Sequence, residues 1–250
     1  MIDIVFSYDL SGSMFPALTQ TRREVSKTVE FLFNHIPDLQ IGIVGFSDYC
    51  DGASGLYNQL DLTNDKNKIV KFVNEVKNQG GGDAPEAYEY MLNKMRSISW
   101  RSGKNRSLVM IGDQVPHAIG DRTGGTTVKL DWKNEAKMLS EMNVKIYPVQ
   151  ALGCRSSDWF YDELAEIGNG VSLELNQFAH VNDLLMAICF NQQGRIEEFQ
   201  SLLKPELRES YYMKDIVNTL KTGKSVRYHT KKKRATLLRL FIRVAFRFLK

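Results

Sequence analysis

The sequence predicts an α/β fold, a doubly wound, mostly parallel sheet flanked by helices. Three observations predict it. Short apolar runs with the look of buried strands alternate with segments of helical periodicity through residues 1–190. These runs are mainly apolar rather than strictly alternating, as strands covered by helices on both faces are. Acidic and hydroxyl residues gather directly after the strand runs, where an open parallel sheet binds its ligands.

The elements follow in order. Residues 2–8 (IDIVFSY) read as a buried strand. Residues 15–36 place Leu18, Val25, Val29, Leu32 and Ile36 on one helical face, and Pro16 suits the first turn. Residues 39–46 (LQIGIVGF) predict a second buried strand and 56–62 an edge strand. Residues 65–77 predict a helix with Ile69, Phe72, Val73 and Val76 inward, and 86–98 another after the loop GGGDAP. Strands over 107–111 and 144–150 bracket a helix over 133–142. Helices over 158–167 and 180–190 flank a weaker strand at 171–175. After about residue 191 the texture becomes charged helix without strands. The predicted organisation is therefore an α/β domain over 1–190 and a helical extension over 191–250.

Composition bounds the function. The 250 residues are 43% hydrophobic and 25% charged, ordinary for a soluble globular chain with a real core. No stretch reaches the roughly 18 uninterrupted apolar residues of a membrane span. The N-terminus has no basic region followed by a cleavage site, so no secretory signal is expected. Three widely spaced cysteines, Cys50, Cys154 and Cys189, suggest neither a disulfide framework nor a zinc knuckle. A reducing, cytoplasmic location is the expectation. The net charge of +4 hides a split. Of the 33 basic residues, eleven fall in 221–250, which holds no Asp or Glu. The first 220 residues thus carry 22 basic against 29 acidic residues, a net of −7 with His neutral. Nucleic acid is not an expected partner of so acidic a body.

The chemistry should lie at the strand ends. The first strand run leads into Asp9, Ser11 and Ser13, and the run 107–111 into Gly112-Asp113. The loop Gly80-Gly81-Gly82-Asp83-Ala84-Pro85-Glu86 leads into a helix. These are carboxylates and hydroxyls, hard oxygen donors that select Mg²⁺, Mn²⁺ or Ca²⁺ over zinc or copper. The bland alternative is that Asp9, Ser11, Ser13, Asp83 and Glu86 cap helices and that Asp113 sits in a plain turn. His117, in the long loop 113–131, is expected to face solvent. Trp100, Trp132 and Trp159 are expected to pack.

Asp9-x-Ser11-x-Ser13 after an N-terminal strand, followed in order by GGGDAPEA and IGD, resembles the metal-ion-dependent adhesion site of von Willebrand factor A domains. The segment DWKNEAKMLSEMNVKIYPVQ is similar to that family's closing helix and strand. The likeness covers residues 1–190 and is nearest to intracellular or microbial members and to those attached to alpha-type kinases. It implies a Rossmann-like fold and a cation held by Asp9, Ser11, Ser13, Asp113 and a second-loop residue. Many members place a Thr in that loop. Asp83 is favoured at the Thr-like position, with Glu86 as the alternative. The implied partner is a protein whose Asp or Glu completes the metal shell.

Catalysis is not expected. Position 11 is Ser where a haloacid-dehalogenase phosphatase needs a second Asp. There is no Gly-x-Ser-x-Gly elbow, no dinucleotide fingerprint and no P-loop, and the four histidines are scattered. Metal-dependent hydrolysis is the lesser alternative. Residues 192–220 predict one or two charged helices broken near Pro205, with Ile196, Phe199, Leu202 and Leu203 available for packing. The segment 231–250 places Arg239, Arg243 and Arg247 on one helical face among apolar residues. It is too short to span a bilayer, and suits an anionic membrane surface or a partner's groove.

Overall fold

The computed structural model describes residues 2–79 and 84–224. Asp83 and the basic segment 231–250 lie outside the described residues. In chain order the elements are β1 (Ile2–Asp9), α1 (Phe15–His35), β2 (Leu39–Phe46), α2 (Gly52–Leu56), β3 (Tyr57–Thr63), α3 (Lys66–Glu75) and α4 (Tyr88–Met95). They continue with β4 (Asn105–Gly112), the two-residue strands β5 (Arg122–Thr123) and β6 (Thr126–Thr127), α5 (Trp132–Glu141), β7 (Val144–Ala151) and α6 (Asp158–Ile167). The last are β8 (Leu173–Leu175), α7 (Val181–Gln192), α8 (Ile196–Leu202), α9 (Pro205–Glu209) and α10 (Tyr211–Thr222).

Six strands form one sheet in the order β3-β2-β1-β4-β7-β8. All neighbours are parallel except β2 and the edge strand β3. The chain leaves β1 toward β2 and later returns to β1's other side through β4. That reversal opens a crevice at the carboxyl ends of β1 and β4, where such sheets hold ligands. The register pairs Tyr8 with Ile111, so Asp9 and Asp113 both emerge into that crevice.

Side-chain alternation divides the core in two. From β1, Ile2, Ile4, Phe6 and Tyr8 face one layer, with α1, α3, α7 and the extension packed over it. Val5 faces the second layer, with α4, α5 and α6. Asp9 continues that odd-numbered face, which turns it toward α4. Ile196, Phe199 and Leu203 of the extension are buried in the first layer with Met213, Ile216 and Val217, whereas Leu202 is exposed. Residues 191–224 of the extension therefore cover the body rather than standing apart.

Two expectations need correction. The helix expected from residue 86 starts at Tyr88, because Glu86 forms a parallel bridge with Pro116 and its N–H donates to the Val115 carbonyl at 3.1 Å. Trp132 is buried, but Trp159 is half exposed and only leans against Trp132 and Phe160.

Candidate metal centre

Asp9 ends β1 in nearly complete burial. Its Oδ1 accepts the Ser11 N–H at 2.9 Å, and its Oδ2 accepts the Tyr88 hydroxyl at 2.8 Å. The carboxylate is thus held by its own turn and by the first residue of α4. Tyr88 also accepts the Gln114 N–H at 3.2 Å, and so ties Asp9 to the loop that carries Asp113. Gly112 makes this tie possible: a Cβ there would sit 2.1 Å from the Tyr88 hydroxyl.

The serines do not cap. Neither the short 3-10 turn at Gly12–Met14 nor α1 receives a side-chain cap bond. Instead the Ser11 and Ser13 hydroxyls lie 3.3 Å apart, and the Ser13 hydroxyl also faces Asp113. Asp113 is buried with its Oδ1 unpartnered among the described residues. The second loop contributes Glu86, buried, with its Oε2 likewise unpartnered. Glu86 does not cap α4 either, because that helix has no side-chain cap bond.

Electrostatics makes the crowding explicit. Burial, then the neighbouring Asp9, Asp48, Asp51 and Asp113, push the Glu86 carboxyl up to about 9. Burial raises Asp9 to about 6, with Asp113 adding to the rise and Ser11 and Tyr88 opposing it. Burial also raises Asp113. Buried carboxyls with unused oxygens and like-charged neighbours are costly without a cation. The donor set is all oxygen, which fits Mg²⁺, Mn²⁺ or Ca²⁺. Among the described residues, no group of three or more His, Cys, Asp and Glu side chains is placed to hold a metal by itself. A cation here would rely on the serine hydroxyls beside the carboxylates.

Beside this cluster lies a polar network that the sequence reading missed. His117 is buried, not solvent-facing: its Nε2 lies 2.6 Å from Asp48 Oδ1, and the Thr123 hydroxyl donates to Asp48 Oδ2 at 2.8 Å. Glu89 accepts the Tyr49 hydroxyl at 2.8 Å and the His117 N–H at 3.2 Å. Burial alone would raise Asp48, but the bonds from His117 and Thr123 prevail and bring it to about 2. Burial alone would lower His117, and Asp48 reverses that. One signal was available: Ser47-Asp48 directly follows the second strand run, as Asp9 follows the first. The pairing with His117, 69 residues away, had none.

The topology and this carboxyl-edge cluster define an open α/β domain with an acidic, oxygen-rich crevice at its switch point. The sequence profile of the von Willebrand factor type A domain matches residues 3–199, and the chain belongs to that family. Such domains are generally protein-interaction modules. The chain is similar to the alpha-protein kinase vwkA of Dictyostelium discoideum, 29% identical over 118 residues, covering 46% of this chain and 19% of that protein. It is also similar to the putative ariadne-like RING finger protein R811 of Acanthamoeba polyphaga mimivirus, 22% identical over 221 residues, covering 82% of this chain and 21% of that protein. The chain thus spans about a fifth of either relative's length. In fold it matches the pilus adhesin SpaC of Lactobacillus rhamnosus GG, at 17% identity and a TM-score of 0.59, covering 79% of this chain and 30% of that one. It also matches an aerotolerance-related membrane protein of Bacteroides fragilis, at 17% identity and a TM-score of 0.51, covering 81% of this chain and all of that one. Among the described residues no helix is long and apolar enough to cross a membrane.

Proposed function

We propose that the chain is a non-enzymatic protein-interaction module that engages its partner through a divalent cation at the carboxyl edge of the sheet. The carrying observation is the pair of buried, unpartnered oxygens, Glu86 Oε2 and Asp113 Oδ1, in the crevice beside Asp9. Asp9, Ser11, Ser13 and Asp113 would hold Mg²⁺, or Mn²⁺ or Ca²⁺, with Glu86 or Asp83 from the second loop. The ion would neutralise the crowded carboxyls and leave a position for an oxygen of the partner, an Asp or Glu side chain.

The test is a Mg²⁺ or Mn²⁺ titration followed by heat stability, wild type against Asp9→Ala. A ligand that binds only the native state at 100 times its Kd adds about 2.7 kcal/mol. The midpoint should rise in wild type and stay flat in the variant. Equal responses would reject the site. Partner capture that survives chelation would instead favour an adaptor working through its basic segment 231–250.

A further inference from the structure

The opposite edge of the sheet carries a second site of different chemistry. A cavity of about 330 Å³ opens there between the starts of β4 and β7, the turn after α5 and the end of α7. Its volume is at the small end of ligand pockets. Lys104, Arg106 and Lys145 line it, and no Asp or Glu does.

The floor is built rather than incidental. Tyr147 and Gln192 are buried, and the Gln192 amide donates to the Tyr147 hydroxyl. The Asn105 amide in turn fixes the Gln192 carbonyl at 2.9 Å. The Tyr147 oxygen accepts from Gln192 and from the Asn191 side chain, so its own proton is left to donate. The Arg106 guanidinium is anchored by the Arg101 carbonyl at 3.1 and 2.9 Å and by the Met142 carbonyl at 2.8 Å. Carbonyls hold the group in place without cancelling its charge. Lys104 shares Asp38 with Arg101, at 3.1 and 2.5 Å. Lys145, exposed at the mouth, makes no ion pair among the described residues. The lining thus combines fixed positive charge with donors that have capacity to spare.

We propose that this cavity binds a small phosphorylated molecule, its phosphate oxygens taken by Lys145, the Tyr147 hydroxyl and the amide of Asn143, in the field of Arg106. An extended polyanion is disfavoured, because the first 220 residues carry a net charge of −7. The site does not depend on the cation centre, which lies at the other end of the strands. Gln192 ends α7, so the ligand would touch the junction between the body and its extension.

The full chain should be titrated calorimetrically with inorganic phosphate, pyrophosphate and adenosine monophosphate at matched ionic strength. The comparison is wild type against Lys145→Glu and Asn143→Asp. Both positions are exposed, and Asp tolerates the positive φ of 58° at residue 143. At least one probe should bind wild type saturably, and at least tenfold more weakly to both variants, equivalent to about 1.4 kcal/mol. No saturable binding up to about 10 mM overturns the proposal. Binding undiminished in both variants belongs to the basic segment 221–250 and overturns it equally.

Discussion

The two ends of the central strand β1 treat their buried carboxylates in opposite ways. At its start, fully buried Asp3 is answered by Arg101, whose Nε and backbone N–H reach it at 2.6 and 2.7 Å. At its end, Asp9 meets a phenol and a backbone N–H, while Glu86 and Asp113 keep unpartnered oxygens. A buried charge without a partner costs several kcal/mol. The fold meets that need with its own cation at the first end, and at the second with one hydroxyl and one backbone N–H. The difference separates a completed structural ion pair from a cluster whose buried oxygens have no partner among the described residues.

The contrast can be broken at the first end. Arg101→Ala should strip Asp3 of its counter-charge and cost about 3–5 kcal/mol in urea unfolding. A loss under about 1 kcal/mol, the range of an exposed pair, would mean that Asp3 needs no partner and would erase the distinction. At the other end, Glu86→Gln should leave cation-free stability at pH 7 nearly unchanged, because the carboxyl pushed up to about 9 is already protonated there. The same variant should lose most of the cation-dependent gain, about 2.7 kcal/mol at a hundredfold excess over Kd. An unaltered gain would pass the second-loop role to Asp83.

Gly112→Ala tests the support beneath Asp9. The added methyl collides with the hydroxyl of Tyr88, whose ring is packed against Phe46, Phe160 and Tyr161. Overpacking of this kind costs about 1–3 kcal/mol, and cation affinity should fall with it. Affinity kept at wild-type level would detach Tyr88 from the site. The smallest effect concerns His117. Its raised folded value means that its contribution is present below the ordinary 6.5 and is lost as pH rises through the folded value. Asp48, lowered to about 2, contributes above its ordinary 3.8 and stops as pH falls toward 2. The stability difference between wild type and His117→Gln should therefore peak between about pH 4 and 6.5, on the order of 1 kcal/mol. A flat difference from pH 4 to 9 would show that the pair is a neutral hydrogen bond.

Particular residues show what could be read in advance. The run LQIGIVGF became β2 with the expected limits, since a short, largely apolar run rich in β-branched residues suits a central strand buried on both faces. Phe15–His35 formed the expected helix because its apolar spacing and Pro16 agree. Asp9, Ser11, Ser13 and Asp113 stood out because strand ends are marked in the chain itself. Glu86 was harder to place: local pattern put it in a helix, and only its bridge to Pro116 removes it. His117 looked like a lone loop residue because its partner Asp48 belongs to another strand end.

What the sequence determined alone was what is local: the alternation of strand and helix, the two-sided burial of the strands, and the oxygen donors after them. Periodicity and turn chemistry act over a few residues, so a linear reading captures them. Only the tertiary structure decided which strand ends meet, that Tyr88 grips Asp9, and that Arg101 answers Asp3 from 98 residues away. Those choices arise from sheet order and register, and the energies that select them exist only once distant segments share one buried space.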